Sequence, residues 1–269
     1  MYFPSIDSDQ WETISPDELN WDSGEIENLY EFLELNNTRA FVVLKDGKIV
    51  IENYWGNNIL NTAPFDRNSS WYWASAGKTL TALMVGIAQE DGLLSIEDSS
   101  AIYLGNGWTN LTAEQEGLIK IKHQLTMTTG LDYQVVNLNC TDPDCLSYKN
   151  TPGTNWFYHN ATYSLLKDVI ENATETSYNE FTNQKVKIKI GMGGSWIQLN
   201  NSDIYYSTAR DMARFGLLIL NEGVWDEDVI LNDTNYFSNM VNTSQEINKS
   251  YGYLWWLNGK ESLIPPGTT

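Results

Sequence analysis

Residues 75–89, Ser-Ala-Gly-Lys-Thr-Leu-Thr-Ala-Leu-Met-Val-Gly-Ile-Ala-Gln, read as a helix that is apolar around most of its circumference. A surface helix carries one apolar stripe, so this one has to be buried on most sides and the rest of the chain must cover it. Asp91-Gly92 ends it, the glycine supplying a left-handed stop. A chain of 269 residues, 42% hydrophobic and 19% charged, can provide that cover as one large domain or two closely joined lobes.

The segments on either side set the fold class. Residues 22–35 read as an amphipathic helix. The β-branched runs 38–45 and 48–54 are joined through Asp46-Gly47, a strong hairpin signal. Helices and loops fill 95–190, residues 211–221 form a further helix closed by Gly223, and 251–257 read as a strand buried on both faces. Strands toward both ends with a helical middle indicate an α/β fold, an antiparallel sheet flanked by helices with an inserted all-helical lobe. Residues 1–94 and 191–269 are assigned to the α/β lobe of a single domain and 95–190 to the helical lobe.

Charge and cysteine content narrow the partners. A formal net charge of -19 argues against nucleic acid, which Lys and Arg must meet, and against anionic lipid. No run of about 18 apolar residues is present, so no membrane span is expected. Cys140 and Cys145 cannot close a zinc site with only His123 and His159 to help, and neither a metal nor another cofactor is expected. The two cysteines flank Pro143 in a short loop that a disulfide could staple, two free thiols being the alternative. The N-terminus has neither a basic n-region nor an apolar h-region. A periplasmic or secreted protein without its signal peptide is expected, with a cytoplasmic one as the alternative.

Two short segments carry chemistry. In Trp73-Ala-Ser75-Ala-Gly-Lys78-Thr, positions three apart on a helix share a face, so Ser75 and Lys78 point the same way. A serine needs a base within reach, and a lysine buried beside it loses solvation and becomes one. The helix N-terminus favours a developing alkoxide, and the Ser75 N–H can donate to an oxyanion. Gly77-Lys78-Thr79 is not the end of a phosphate-binding loop, because Tyr72 stands where that motif needs glycine. In Trp156-Phe-Tyr158-His-Asn160, a phenol near an ammonium can shuttle protons, and an amide can bind both lysine and substrate.

Ser75-x-x-Lys78 followed by Tyr158-x-Asn160 resembles the penicillin-binding protein and serine β-lactamase superfamily, most of all the branch of class C β-lactamases, esterases and nylon-oligomer hydrolases. The stretches 92–105, 121–131 and 207–225 are similar to further blocks of that family in the same order. The resemblance implies a serine hydrolase of small acyl compounds, cleaving an ester, amide or lactam, with esterase or amidase action favoured over β-lactam hydrolysis. Ser75 would be acylated, Lys78 would activate it, Tyr158 would serve as general base and acid, and Asn160 would contact substrate and hold Lys78. A catalytically silent ligand sensor or scaffold on the same fold is the alternative. His159 and His123 are expected to be structural. No Gly-x-Ser-x-Gly elbow supports a Ser-His-Asp triad.

The family's third motif, a Lys- or His-x-Gly on a strand bordering the cleft, has no match after Tyr251. A doubly buried strand at 251–257 needs a neighbour on each side. The C-terminal strands are therefore expected to be absent from this chain, and further C-terminal polypeptide to complete the fold beside Ser75.

Overall fold

The computed structural model describes residues 1–260. The helices are α1 (Ser23–Leu35), α2 (Gly77–Glu90), α3 (Ala101–Leu104), α4 (Ala113–Gly117), α5 (Ile121–Leu125), α6 (Asn160–Ser164), α7 (Leu166–Thr174), α8 (Tyr178–Thr182), α9 (Ile188–Ile190), α10 (Ala209–Leu220) and α11 (Thr234–Val241). The strands are β1 (Ala40–Lys45), β2 (Lys48–Tyr54), β3 (Trp71–Tyr72), β4 (Ser195–Leu199), β5 (Ser202–Ser207), β6 (Val224–Trp225) and β7 (Asp228–Val229). They form small antiparallel sheets in the orders β1-β2, β3-β5-β4 and β6-β7. This mixed α/β architecture is the expected class. Helix α1 begins where Asp22 accepts from the Gly24 and Glu25 N–H groups, and the β1-β2 turn places Asp46 and Gly47 at φ 52° and 85°.

The described residues divide into two compact units, 1–73 with 183–195 and 205–230, and 74–182 with 196–204 and 231–260. Helices α2 and α11 group with the helical segment in the second of these units.

In the first unit the hairpin residues Ile49, Val50 and Ile51 are buried, and α10 packs on β1. The Trp73 indole N–H donates to Ser207 Oγ at 2.8 Å, its ring meeting Tyr205 edge-on at 5.1 Å. Arg214, 4% exposed, donates to the carbonyl oxygens of Ser5 and Ile190 and so ties down the N-terminal segment.

In the second unit α2 is the buried helix its composition demands: Lys78, Leu80, Leu83, Met84, Val85 and Ile87 are all covered. It packs against α7 and α11. At Gly86 a Cβ would stand 2.4 Å from the Tyr236 ring, whose hydroxyl donates to the Ala82 carbonyl at 2.6 Å. Gly92, at φ 72°, ends the helix as expected. Cys140 and Cys145 are joined as a disulfide. Among the described residues no helix is long and apolar enough to cross a membrane.

The expected strand at 251–257 is not formed. Tyr251 and Trp256 make an isolated bridge across a tight turn, with Leu254 at φ 61°. Its N–H groups are satisfied without a sheet: Tyr253 donates to Met240 O, Leu254 to Leu125 O, and Leu257 to Ser250 O. The aromatic run fills the helical unit instead, Tyr251 being fully buried. The described residues thus contain no strand at 251–257 with which further polypeptide would pair. The further polypeptide expected to carry the third motif, and residues 261–269 before it, lie outside those described. The β4-β5 hairpin, which the sequence reading did not anticipate, is held at Trp196, whose N–H donates to Asn179 Oδ1 at 2.8 Å.

Candidate active site

All the residues singled out for chemistry fall in the second unit. Ala74 takes φ 47°, a conformation uncommon for a residue with a Cβ, and one 3-10 turn, Ala74–Ala76, leads into α2. This leaves Ser75 exposed, while Lys78, one turn on, is 6% exposed. Lys78 Nζ lies 4.0 Å from the centre of the Tyr163 ring and 5.3 Å from that of Tyr158. Burial brings the Lys78 ammonium down from 10.5 to about 8, with no carboxylate among the described residues opposing it.

Tyr158 comes from an extended segment in which side chains alternate. Phe157 stacks on Tyr133 at 4.2 Å, and its N–H donates to Met127 O. Tyr158 points the other way and stacks on Trp256 at 5.6 Å. His159 turns back, with Nε2 3.2 Å from the Asp132 carbonyl oxygen, and is buried outside the site. Burial pushes the Tyr158 hydroxyl up, while side-chain hydrogen bonding from Ser75 and Trp256 works in the opposite direction. His123 is also structural: its Nδ1 accepts from the Lys120 N–H at 3.1 Å, and burial lowers the ring to about 4.

Asn160, the first residue of α6, returns to the Ser75 side. A cavity of about 260 Å³ is lined by Ser75, Lys78, Asn139, Asn160, Tyr163 and Asp203, among others. Asn160 Oδ1 is buried without a hydrogen-bond partner among the described residues, so the expected bond to Lys78 is not made and the oxygen is left available. A larger cavity of about 580 Å³ lies in the first unit, lined by Trp11, Arg67 and Arg210 among others, and holds no serine beside a base.

Sequence reasoning missed four residues here. Tyr163 lies at i+5 from Tyr158 and carries no mark of its own, while the pattern around Tyr251 and Trp256 reads as strand. Asp203 sits on a hairpin that the sequence pattern does not reveal. Among the described residues no group of three or more His, Cys, Asp or Glu could hold a metal ion.

The family model described as Beta-lactamase matches residues 38–268. Penicillin-binding protein 4* of Bacillus subtilis is 29% identical over 184 residues, 62% of this chain and 39% of its own length, so the chain matches about two fifths of that curated relative. A candidate 6-aminohexanoate-dimer hydrolase from Bacillus anthracis superposes with a TM-score of 0.71 at 21% identity, over 87% of this chain and 68% of that one. A penicillin-binding protein from Bacillus halodurans does so with a TM-score of 0.68 at 18% identity, over 87% and 85%. These likenesses are of fold.

Proposed function

The chain belongs to the Beta-lactamase family, and from that premise we propose that it is a serine hydrolase that forms an acyl-enzyme on Ser75 and cleaves small esters or amides in preference to lactams. The observation that carries the reading is an exposed serine one helical turn from a buried lysine whose ammonium burial lowers to about 8. Lys78 is then the group that can be neutral near physiological pH, whereas Tyr158, its hydroxyl raised by burial, keeps its proton until it is passed on.

Ser75 Oγ bonds to the substrate carbonyl carbon as its proton moves to neutral Lys78 Nζ. The carbonyl oxygen becomes an oxyanion, to which the Ser75 N–H donates. Collapse breaks the bond to the leaving group, which receives the proton from Lys78 by way of the Tyr158 hydroxyl. Water then adds to the acyl-Ser75 ester, the acid departs, and Ser75 regains its proton. Asn160, with its unpartnered Oδ1, accepts a substrate N–H. The Cys140–Cys145 disulfide supports a periplasmic or secreted location.

Turnover of 4-nitrophenyl butyrate, a short anilide and a chromogenic cephalosporin, by the protein and by Ser75→Ala, tests the reading. The ester is expected to be hydrolysed fastest and the cephalosporin slowest, with Ser75→Ala at the uncatalysed rate. Ester turnover retained in Ser75→Ala would assign the chemistry elsewhere. Covalent capture without turnover would make the protein an acyl-binding sensor.

A further inference from the structure

Ten of the 28 asparagines stand two residues before a serine or threonine, with no proline between. Serine and threonine fill 42 of the 269 positions, so a random order of the same residues would give only about four such triplets. Local structure does not account for the excess. Of the ten hydroxyl residues, Thr112 alone caps a helix among the described residues. The asparagines themselves fall into distinct settings. Asn248 is fully buried, its Oδ1 accepting the Ser250 N–H at 3.0 Å, and Asn139 and Asn160 line the cavity of Ser75. Asn68, Asn110, Asn200 and Asn232 are exposed and lie outside helix and strand. The structure gives the Nδ2 of these four no hydrogen bond among the described residues. The Cys140–Cys145 disulfide belongs to an oxidising compartment, the side of the membrane on which asparagine glycosylation takes place.

We propose that Asn68, Asn110, Asn200 and Asn232 are N-glycosylation sites, each accepting an oligosaccharide from a polyprenyl-phosphate carrier through a separate transferase. Nδ2 bonds to the anomeric carbon of the sugar as the bond from that carbon to the phosphate oxygen breaks. The lipid phosphate leaves with the electron pair, and one of the two Nδ2 hydrogens leaves as a proton. The product is still an amide, so no charge is gained or lost on the chain. Asn248 stays bare because its amide is enclosed. Asn139 and Asn160 stay bare because a sugar on either would fill the cavity beside Ser75. The four acceptors do not depend on the chemistry assigned to Ser75.

Peptide mapping by mass spectrometry, on protein purified from its own organism, tests the assignment. Peptides carrying the four asparagines are expected to bear hexose or hexosamine units. Peptides carrying Asn248, or the exposed Asn57 and Asn106, which lack the hydroxyl residue, are expected to bear none. With variants expressed in the same organism, the modified fraction at residue 68 should fall at least tenfold in Asn68→Gln. It should fall equally in Ser70→Ala, which leaves the asparagine in place, and return in Ser70→Thr. Ser70 is exposed and has no hydrogen bond among the described residues, so neither exchange threatens the fold. Unmodified mass at one of the four strikes that site, and at all four overturns the inference. Sugar that persists at residue 68 in Ser70→Ala, or that reaches Asn57 and Asn106 to the same extent, also overturns it.

Discussion

Lys78→Met is expected to lose a hundredfold or more of the acylation rate and at the same time to become more stable at pH 7. The loss is expected from removing the proposed base for the Ser75 proton, a contribution of about 10²–10⁴ in rate. The gain follows from the burial of the ammonium among aromatic rings, 6% exposed and without a carboxylate partner among the described residues. Burial lowers this group from 10.5 to about 8, which corresponds to about 3 kcal/mol of strain against the charged form. Methionine fills similar volume without the charge, so the thermal midpoint should rise by roughly 5–10 °C, less whatever the ring contacts return. The pH dependence has a definite sign. The folded protein binds this proton more weakly than the unfolded chain, so the penalty is complete below about pH 8 and fades as pH rises toward 10.5. Wild type should therefore close the gap to Lys78→Met over that window. Acylation by wild type should rise with pH through about 8. A variant that loses stability at pH 7, or an acylation rate flat from pH 6 to 9, contradicts the assignment.

Gly252→Ala should destabilise the protein by about 3 kcal/mol or more and lower acylation at least tenfold. A Cβ at residue 252 would stand 2.2 Å from the Met240 carbonyl oxygen and 2.9 Å from that of Asn242, backbone atoms at the end of α11 that cannot step aside. The turn it belongs to carries Tyr251 and Trp256 against Tyr158, the two rings meeting it at 6.2 Å and 5.6 Å. Displacing the turn would therefore loosen Tyr158, the proposed proton relay. Gly216→Ala, in α10 with nothing within 4 Å of the added atom, is the control and should be neutral or stabilising by up to about 1 kcal/mol. Equal midpoints for the two variants, measured by thermal denaturation, would contradict this packing.

The proposed nucleophile and base, Ser75 and Lys78, were legible in the sequence because the chemistry proposed for them depends on helix geometry, and the helix announced itself through its apolar composition. Ser75 and Lys78 three apart need no tertiary information to share a face. Tyr158 and Asn160 were legible through a resemblance, and an extended backbone then explains why His159 between them turns away. The Tyr251–Leu257 run was misread because aromatic composition suits a strand and a packed turn equally well. Leu125 and Met240, outside the run, together with Ser250 at its start, decide where its N–H groups go. Asp203 was invisible for a related reason. A lone carboxylate in a short polar hairpin has no pattern, and only the fold brings Asp203 to the cavity that Ser75 lines.

The central claim is that Ser75 is the atom donor to the acyl bond, and peptide mapping after fluorophosphonate treatment addresses it most directly. A single adduct is expected on the peptide containing Ser75, formed faster as pH rises through about 8 and absent from Ser75→Ala. An adduct on any other residue, or labelling that persists undiminished in Ser75→Ala, would contradict the account.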